Sequence, residues 1–349
     1  MANKQVVEYF NRLHSGSFAT DKVAQVGTGL DEKTAEELQQ ILQSSEYEAK
    51  GQYKTCSFFG DRKIFACLKS KNQYLPAEIQ RFRDEAYNMI QLNNKLVSKG
   101  ACVPKLYSIF FADKHYVEIQ HRVYGKPLAI FKINFFSEEI LGHAINPNSP
   151  QSEKDIVGKQ LFEYNLEQQK KLIKLPVEEY SKMLKTMLAF NDLGIYFYDN
   201  HCENILIGEK GLTIVDFDYM EALFQRRRMF ENQGRTDVGK QFKRRSEVDI
   251  AECFIKPFSF ARQHMFCLSP QQQQQLMKND VEILKKLVDA ISLNKIVIPA
   301  DSPRFVDYAN VVFEGKFDQI APYILSSQQQ LRQQMGLAPL AMPTTKGKK

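Results

Sequence analysis

Residues 196–218 read YFYDNHCENILIGEKGLTIVDFD, and the parsing of this stretch decides the fold. Two short β-type runs, 205–207 and 212–215, are joined by Gly208-Glu209-Lys210-Gly211, the composition of a tight hairpin. Polar groups crowd its base. Asp199 and Asn204 flank the approach to the first strand, and Asp216 closes the second.

Three such groups around one hairpin suit phosphoryl transfer, which needs little covalent help from a protein. It needs Mg²⁺ held against the β and γ phosphates and a carboxylate that orients the attacking hydroxyl. Asn204 and Asp216 supply hard oxygen ligands for a cation that keeps water and phosphate in its other positions. Asp199 is then left as the base.

Outward from the hairpin, the flanking sequence is helical on the N-terminal side. Pro176 opens a helix in which Tyr180, Met183, Leu184, Met187 and Leu188 follow the spacing of one buried face, and Gly194 ends it. The Ser/Pro/Asn-rich stretch 146–155 before it reads as a surface loop. Further upstream, 53–59 and 63–69 are β-type runs meeting at Gly60-Asp61, and Pro76 starts a helix over 76–96. Two more strand-like segments, VPKLYSIFF and HYVEIQHRVYG, lead to Gly125-Lys126-Pro127, where the pattern turns helical. Residues 1–45 read as a helical extension. Beyond Ser269-Pro270 and the glutamine run 271–275, residues 276–293 read as a helix, and the chain ends in a basic tail.

The order Asp-x-x-x-x-Asn, short hairpin, Asp-Phe-Asp resembles the catalytic loop and metal-binding Asp-Phe-Gly of the protein-kinase-like superfamily. The resemblance implies Asp199 as catalytic aspartate and Asn204 and Asp216 as metal ligands, with ATP and Mg²⁺ (or Mn²⁺) as cofactors. Upstream, Ala66-Cys67-Leu68-Lys69 looks like the family's Val-Ala-Ile-Lys, which implies Lys69 on the α and β phosphates. Glu85 lies in the next helix, on the face shared with Phe82 and Met89. A carboxylate on an apolar face needs a cation, and Lys69 is its natural partner. The segment 116–128 resembles the strand and hinge between lobes, which implies Gln120, His121 and Val123 as adenine contacts.

Several family features are absent. No Gly-x-Gly-x-x-Gly precedes Lys69, where only Gly51 and Gly60 occur; Phe197-Tyr198 replaces His-Arg; Asp218 stands where the family has glycine, and no Ala-Pro-Glu follows. Without that arginine, activation by a phosphorylated loop is not expected. His201 makes the loop Asp-x-His-x-x-Asn, closer to small-molecule and phosphoinositide kinases than to protein kinases.

The chain's 349 residues carry a net charge of +6. That excess is confined to 226–245, which holds eight Arg/Lys against two acids, while the remainder balances. Concentrated charge of this kind implies a polyanion site rather than a surface for nucleic acid. Arg226, Arg227, Arg228, Lys240, Lys243, Arg244 and Arg245 are the candidates for an inositol polyphosphate activator or a phosphoinositide headgroup, the latter implying peripheral membrane contact. Six cysteines without a Cys-x-x-Cys pair argue against a disulfide framework or structural zinc and suit a reducing cytosol. No signal peptide or membrane span is read.

The expected fold is α+β, two-lobed and protein-kinase-like: an extension over 1–45, a β-rich N-lobe over 46–124, a helical C-lobe over 125–268 and a C-terminal helical region over 269–349. The expected function is an atypical protein Ser/Thr kinase with a protein substrate, similar to translocated bacterial effector kinases that act in a host cytosol. A phosphoinositide or small-molecule kinase and a pseudokinase binding module are the alternatives.

Overall fold

The computed structural model describes residues 23–28, 47–50, 54–59, 64–70, 90–112, 115–121, 123–192, 200–209, 211–215, 246–260, 264–298 and 317–339. The chain divides into two compact units, Met1–Tyr124 with Asp218–Val238, and Gly125–Phe217 with Gly239–Lys349.

In the first unit, six strands form one antiparallel sheet: β1 (Val23–Thr28), β2 (Tyr47–Lys50), β3 (Lys54–Phe59), β4 (Ile64–Ser70), β5 (Leu106–Ala112) and β6 (His115–His121), in the order β1-β5-β6-β4-β3-β2. Aromatic and β-branched residues on both sides of Gly60-Asp61 give the β3–β4 hairpin, with Phe59 opposite Ile64. β1 corrects the helical reading of the N-terminal extension. VAQVGT is too short and too interrupted to show an alternating pattern, yet it pairs with β5, with a register shift between Val26 and Thr28 at Gly27.

Residues 90–98 are helical and lead back into the sheet through a buried side chain. Asn93, 1% exposed, donates from Nδ2 to the Pro104 carbonyl at 3.2 Å and accepts the Leu106 N–H on Oδ1 at 2.8 Å. The amide thereby satisfies backbone groups at the entry to β5.

The second unit opens with β7 (Lys126–Pro127), which joins the hairpin β8 (Ile205–Gly208) and β9 (Gly211–Ile214) in a three-stranded sheet of order β7-β8-β9. Around it lie α1 (Ile133–Leu141), α2 (Gln151–Lys174), α3 (Val177–Asp192), α4 (Glu247–Ile255), α5 (Pro270–Leu293) and α6 (Phe317–Gln334). The loop expected over 146–155 is shorter than its composition suggested, because α2 begins at Gln151 and takes QSEKD into its first turns. Glu153 there complements the positive end of the helix.

α5 also begins earlier than the apolar pattern indicated. Ser269 accepts the Gln272 N–H on its Oγ at 3.3 Å while Gln272 Oε1 accepts the Ser269 N–H at 2.8 Å, a reciprocal cap with Pro270 in the first turn. The glutamine run is therefore helical. α5 packs into this unit: Leu276 shares a buried core with Ile133, Ile145, Val157, Leu161, Cys267 and Leu268. A polar link reinforces this packing, since Gln169 Nε2 donates to Asp280 Oδ1 at 2.6 Å and to the Leu276 carbonyl at 2.9 Å. The other Asp280 oxygen accepts the Phe260 N–H at 3.1 Å, so the buried carboxylate has donors on both sides. α6 is held by Gln328, whose Oε1 accepts the Ile298 N–H at 2.8 Å.

Two glycines permit close approaches in this unit. A Cβ at Gly158 would lie 1.7 Å from the Cys267 carbonyl oxygen, so α2 and the turn Met265–Cys267 touch through that missing side chain. Gly211, at φ +100°, closes the β8–β9 turn in a conformation that L-residues avoid.

Candidate functional site

The second unit carries Asn204 at the end of a single 3₁₀ turn, Cys202–Asn204, directly before β8. The turn closes through the Asn204 N–H to the His201 carbonyl at 3.0 Å. The Asn204 carbonyl in turn accepts the Val215 N–H at 2.8 Å, beyond the last ladder pair, Ile205 with Ile214. The expected hairpin is thus present, with strand ends within a residue of those read from the sequence. Asp199 and Asp216, the two carboxylates assigned to it, lie outside the described residues.

From 200 to 204 the side chains alternate between two environments. Asn200, Cys202 and Asn204 are buried, while His201 and Glu203 are partly exposed. Asn200 Nδ2 donates to the Cys253 carbonyl on α4, which ties the loop to that helix. Burial pushes the Cys202 thiol up to about 12, so it is protonated and unreactive at neutral pH. Its carbonyl and that of Ile205 both accept the Leu128 N–H at 3.0 Å, which docks the segment before α1 onto the loop. Gly125 makes room for that docking, because a Cβ there would sit 2.9 Å from the Ile207 carbonyl oxygen.

The partly exposed pair faces Phe131. Glu203 Oε1 accepts the N–H groups of Phe131 at 3.0 Å and Lys132 at 3.1 Å. Lys132 is the N-cap of α1 and brings no capping side chain, so the carboxylate serves donors that the helix leaves unsatisfied. The His201 ring stacks on Phe131, centroids 4.9 Å apart and planes 19° off parallel. Its Nδ1 accepts the Glu203 N–H at 3.2 Å, which places the proton of the neutral ring on Nε2. From the other side, His264 Nε2 donates to the Phe131 carbonyl at 2.6 Å. Burial holds His264 below its ordinary pKa range.

In the first unit, the backbone of Lys69 lies in β4 between Lys54 on β3 and Tyr116 on β6. Gln120 is buried near the end of β6, opposite Phe65 and Leu106. The His121 N–H, at the end of β6, donates to the Lys105 carbonyl at 2.8 Å. Val123 lies two residues past the strand. Glu85 lies outside the described residues, as do Arg226, Arg227, Arg228, Lys240, Lys243, Arg244 and Arg245.

Sequence reasoning missed Phe131, Glu203 and His264. Glu203 is adjacent to Asn204, but its partners are 71 and 72 positions away in the chain, and no local pattern pairs them. His264 carries a weaker signal still, since it stands alone in Arg262-Gln263-His264-Met265-Phe266 with no motif around it.

No family model matches this chain, and no curated protein sequence does. Among solved structures it is similar to Rad53 residues 1–466 in complex with AMP-PNP, at 12% identity and a TM-score of 0.32, covering 76% of this chain and 66% of that one. It is also similar to WbdD co-crystallised with a kinase inhibitor, at 13% identity and a TM-score of 0.27, covering 67% of this chain and 49% of that one. The chain thus spans just under two thirds and about half of those two structures. At these TM-scores the likeness is one of general course, and the fold rests on the chain's own strand order and hairpin. Among the described residues, no helix is long and apolar enough to cross a membrane.

Proposed function

We propose that this chain is an ATP- and Mg²⁺-dependent phosphotransferase of protein-kinase-like fold, acting on an alcohol acceptor, the Ser or Thr hydroxyl of a protein. The observation that carries this reading is the bond between the Asn204 carbonyl and the Val215 N–H, 2.8 Å long. It fixes one assigned metal ligand against the residue that precedes the other, Asp216. Mg²⁺, when bound, would neutralise charge on the β and γ phosphates, and an amide and a carboxylate oxygen are ligands it accepts. Asp199 would receive the acceptor's proton.

The strand order of the first unit agrees with this. With the edge strand β1 set aside, the lysine strand β4 is third in sequence and central in the remaining sheet. That is the place from which a kinase lysine reaches the phosphates. Lys69 would pair with Glu85, and the backbone near Val123 would meet the adenine.

The basic segment 226–245 would be the regulator, ordered by an inositol polyphosphate in the way a phosphorylated loop is ordered elsewhere. A phosphoinositide headgroup would fill the same role at a membrane surface. A small-molecule acceptor was suggested by His201, but that ring accepts the Glu203 N–H and stacks on Phe131, so its presence is accounted for within the loop. The protein acceptor is therefore preferred. As an effector kinase of bacterial origin, the chain would work in the cytosol of a host cell.

The test is transfer from radiolabelled ATP with Mg²⁺ or Mn²⁺, with and without inositol hexakisphosphate, for the wild type, Asp199→Ala and Asp216→Ala. Each variant should lose about 10²-fold or more. Undiminished activity in both would overturn the assignment. A wild type that binds ATP without turning it over would make the chain a pseudokinase.

A further inference from the structure

Two loops of the helical unit converge on one residue at the head of α1. The Phe131 N–H is taken by Glu203 at 3.0 Å, its carbonyl by His264 at 2.6 Å and its ring by His201 at 4.9 Å. Lys132 adds a second N–H to Glu203 at 3.1 Å. His264 meets Phe131 from a left-handed backbone, φ +55°, which residues other than glycine seldom adopt. The conformation is held by its surroundings rather than by local preference.

The alternation along 200–204 gives this cluster its mechanical meaning. His201 and Glu203 are fixed to the α1 side, so the residues between and after them, Cys202 and Asn204, are directed inward. We propose that Glu203 and His264 are positioning residues. Acting through Phe131, they lock the 200–204 turn to the start of α1 and so set the orientation of Asn204.

The carboxylate is suited to the task because it accepts two N–H groups with one oxygen and brings negative charge to a helix N-terminus. A glutamine at 203 keeps an acceptor oxygen and loses only the charge. An alanine loses both. The catalytic consequence rests on the phosphotransferase reading; the clamp itself does not.

The experiment therefore has two arms, run on the full chain for the wild type, Glu203→Ala, Glu203→Gln and His264→Gln. The first is amide hydrogen exchange in peptides covering 128–132 and 201–205. Glu203→Ala should speed exchange there by about 10-fold or more, with α3 and α5 unchanged, and Glu203→Gln should restore most of the protection. The second is Mg·ATP turnover. Glu203→Ala should lower kcat by about 10- to 100-fold with KM for ATP within about 3-fold, and Glu203→Gln should recover most of kcat.

Wild-type exchange in Glu203→Ala would overturn the clamp. A kcat loss as large in Glu203→Gln as in Glu203→Ala, or a loss confined to KM, would overturn its role in orienting Asn204. If the wild type shows no turnover, the phosphotransferase reading falls while the exchange arm still decides the clamp. If Glu203→Ala does not fold, Glu203→Gln and His264→Gln decide it: a local rise in exchange smaller than about 3-fold in both would overturn it.

Discussion

The carbonyl of Asn204 accepts the N–H of Val215 at 2.8 Å, so the residues on the two sides of the β8–β9 hairpin meet through main-chain atoms. Substitution of the Asn204 side chain leaves that link in place. Asn204→Ala should therefore keep the hairpin and lower Mg·ATP turnover by about 10²-fold, as expected for a lost metal ligand. Circular dichroism checks the first effect and phosphate release assays the second. Full turnover would remove Asn204 from the site.

Gly158→Ala should be severely destabilising. The added methyl would fall 1.7 Å from the Cys267 carbonyl oxygen, which is backbone and cannot swing aside. α2 must then move off the Met265–Cys267 turn and open the core built from Val157, Leu161 and Leu268. Overpacking of this kind costs about 1–3 kcal/mol or more. Urea denaturation should show a lower midpoint, and an unchanged one would mean that the two segments do not touch.

Two neighbouring glutamines on α2 should respond in opposite senses. Gln169→Leu removes one of the donors that serve Asp280 and leaves that buried carboxylate with fewer. The cost should be about 2–3 kcal/mol. Gln168 is equally buried, but among the described residues neither its Nε2 nor its Oε1 has a partner. Gln168→Leu should be neutral or stabilising by about 1 kcal/mol, because an amide that bonds to none of the described residues gives up no bond to them on removal. Chemical denaturation of the two variants side by side decides this.

These contrasts show which parts of the chain local pattern reveals. The β3–β4 and β8–β9 hairpins were legible because turn residues stand between runs rich in β-branched or aromatic residues, and the buried face of α3 because apolar residues recur at helical spacing. β1 was not. Its pairing with β5 is made across some eighty positions, and nothing within VAQVGT announces the partner. The start of α5 was hidden because glutamine carries no periodic signal, although Ser269, Pro270 and Gln272 held the cap in plain view. At the candidate site, Asn204 could be singled out by spacing. Its supports could not, since a carboxylate that caps a remote helix looks like any solvent-facing Glu.

Stability should fall on acidification in part through His264. Burial lowers its folded pKa, so as pH drops below about 6.5 the unfolded chain takes up the proton first. The ring's contribution is complete above that pH and is lost as pH falls toward the folded value. His264→Gln should flatten the difference between urea midpoints measured at about pH 7.5 and pH 5.5, and an unaltered difference would show that the ring titrates normally.

Because the 201–204 loop, the head of α1 and the turn after His264 all meet at Phe131, positions 131, 201, 203 and 264 should share an evolutionary fate. A change at one removes the reason for the others. Among descendants of the same ancestor they should be kept or exchanged as a set, even where the surrounding sequence has drifted beyond recognition.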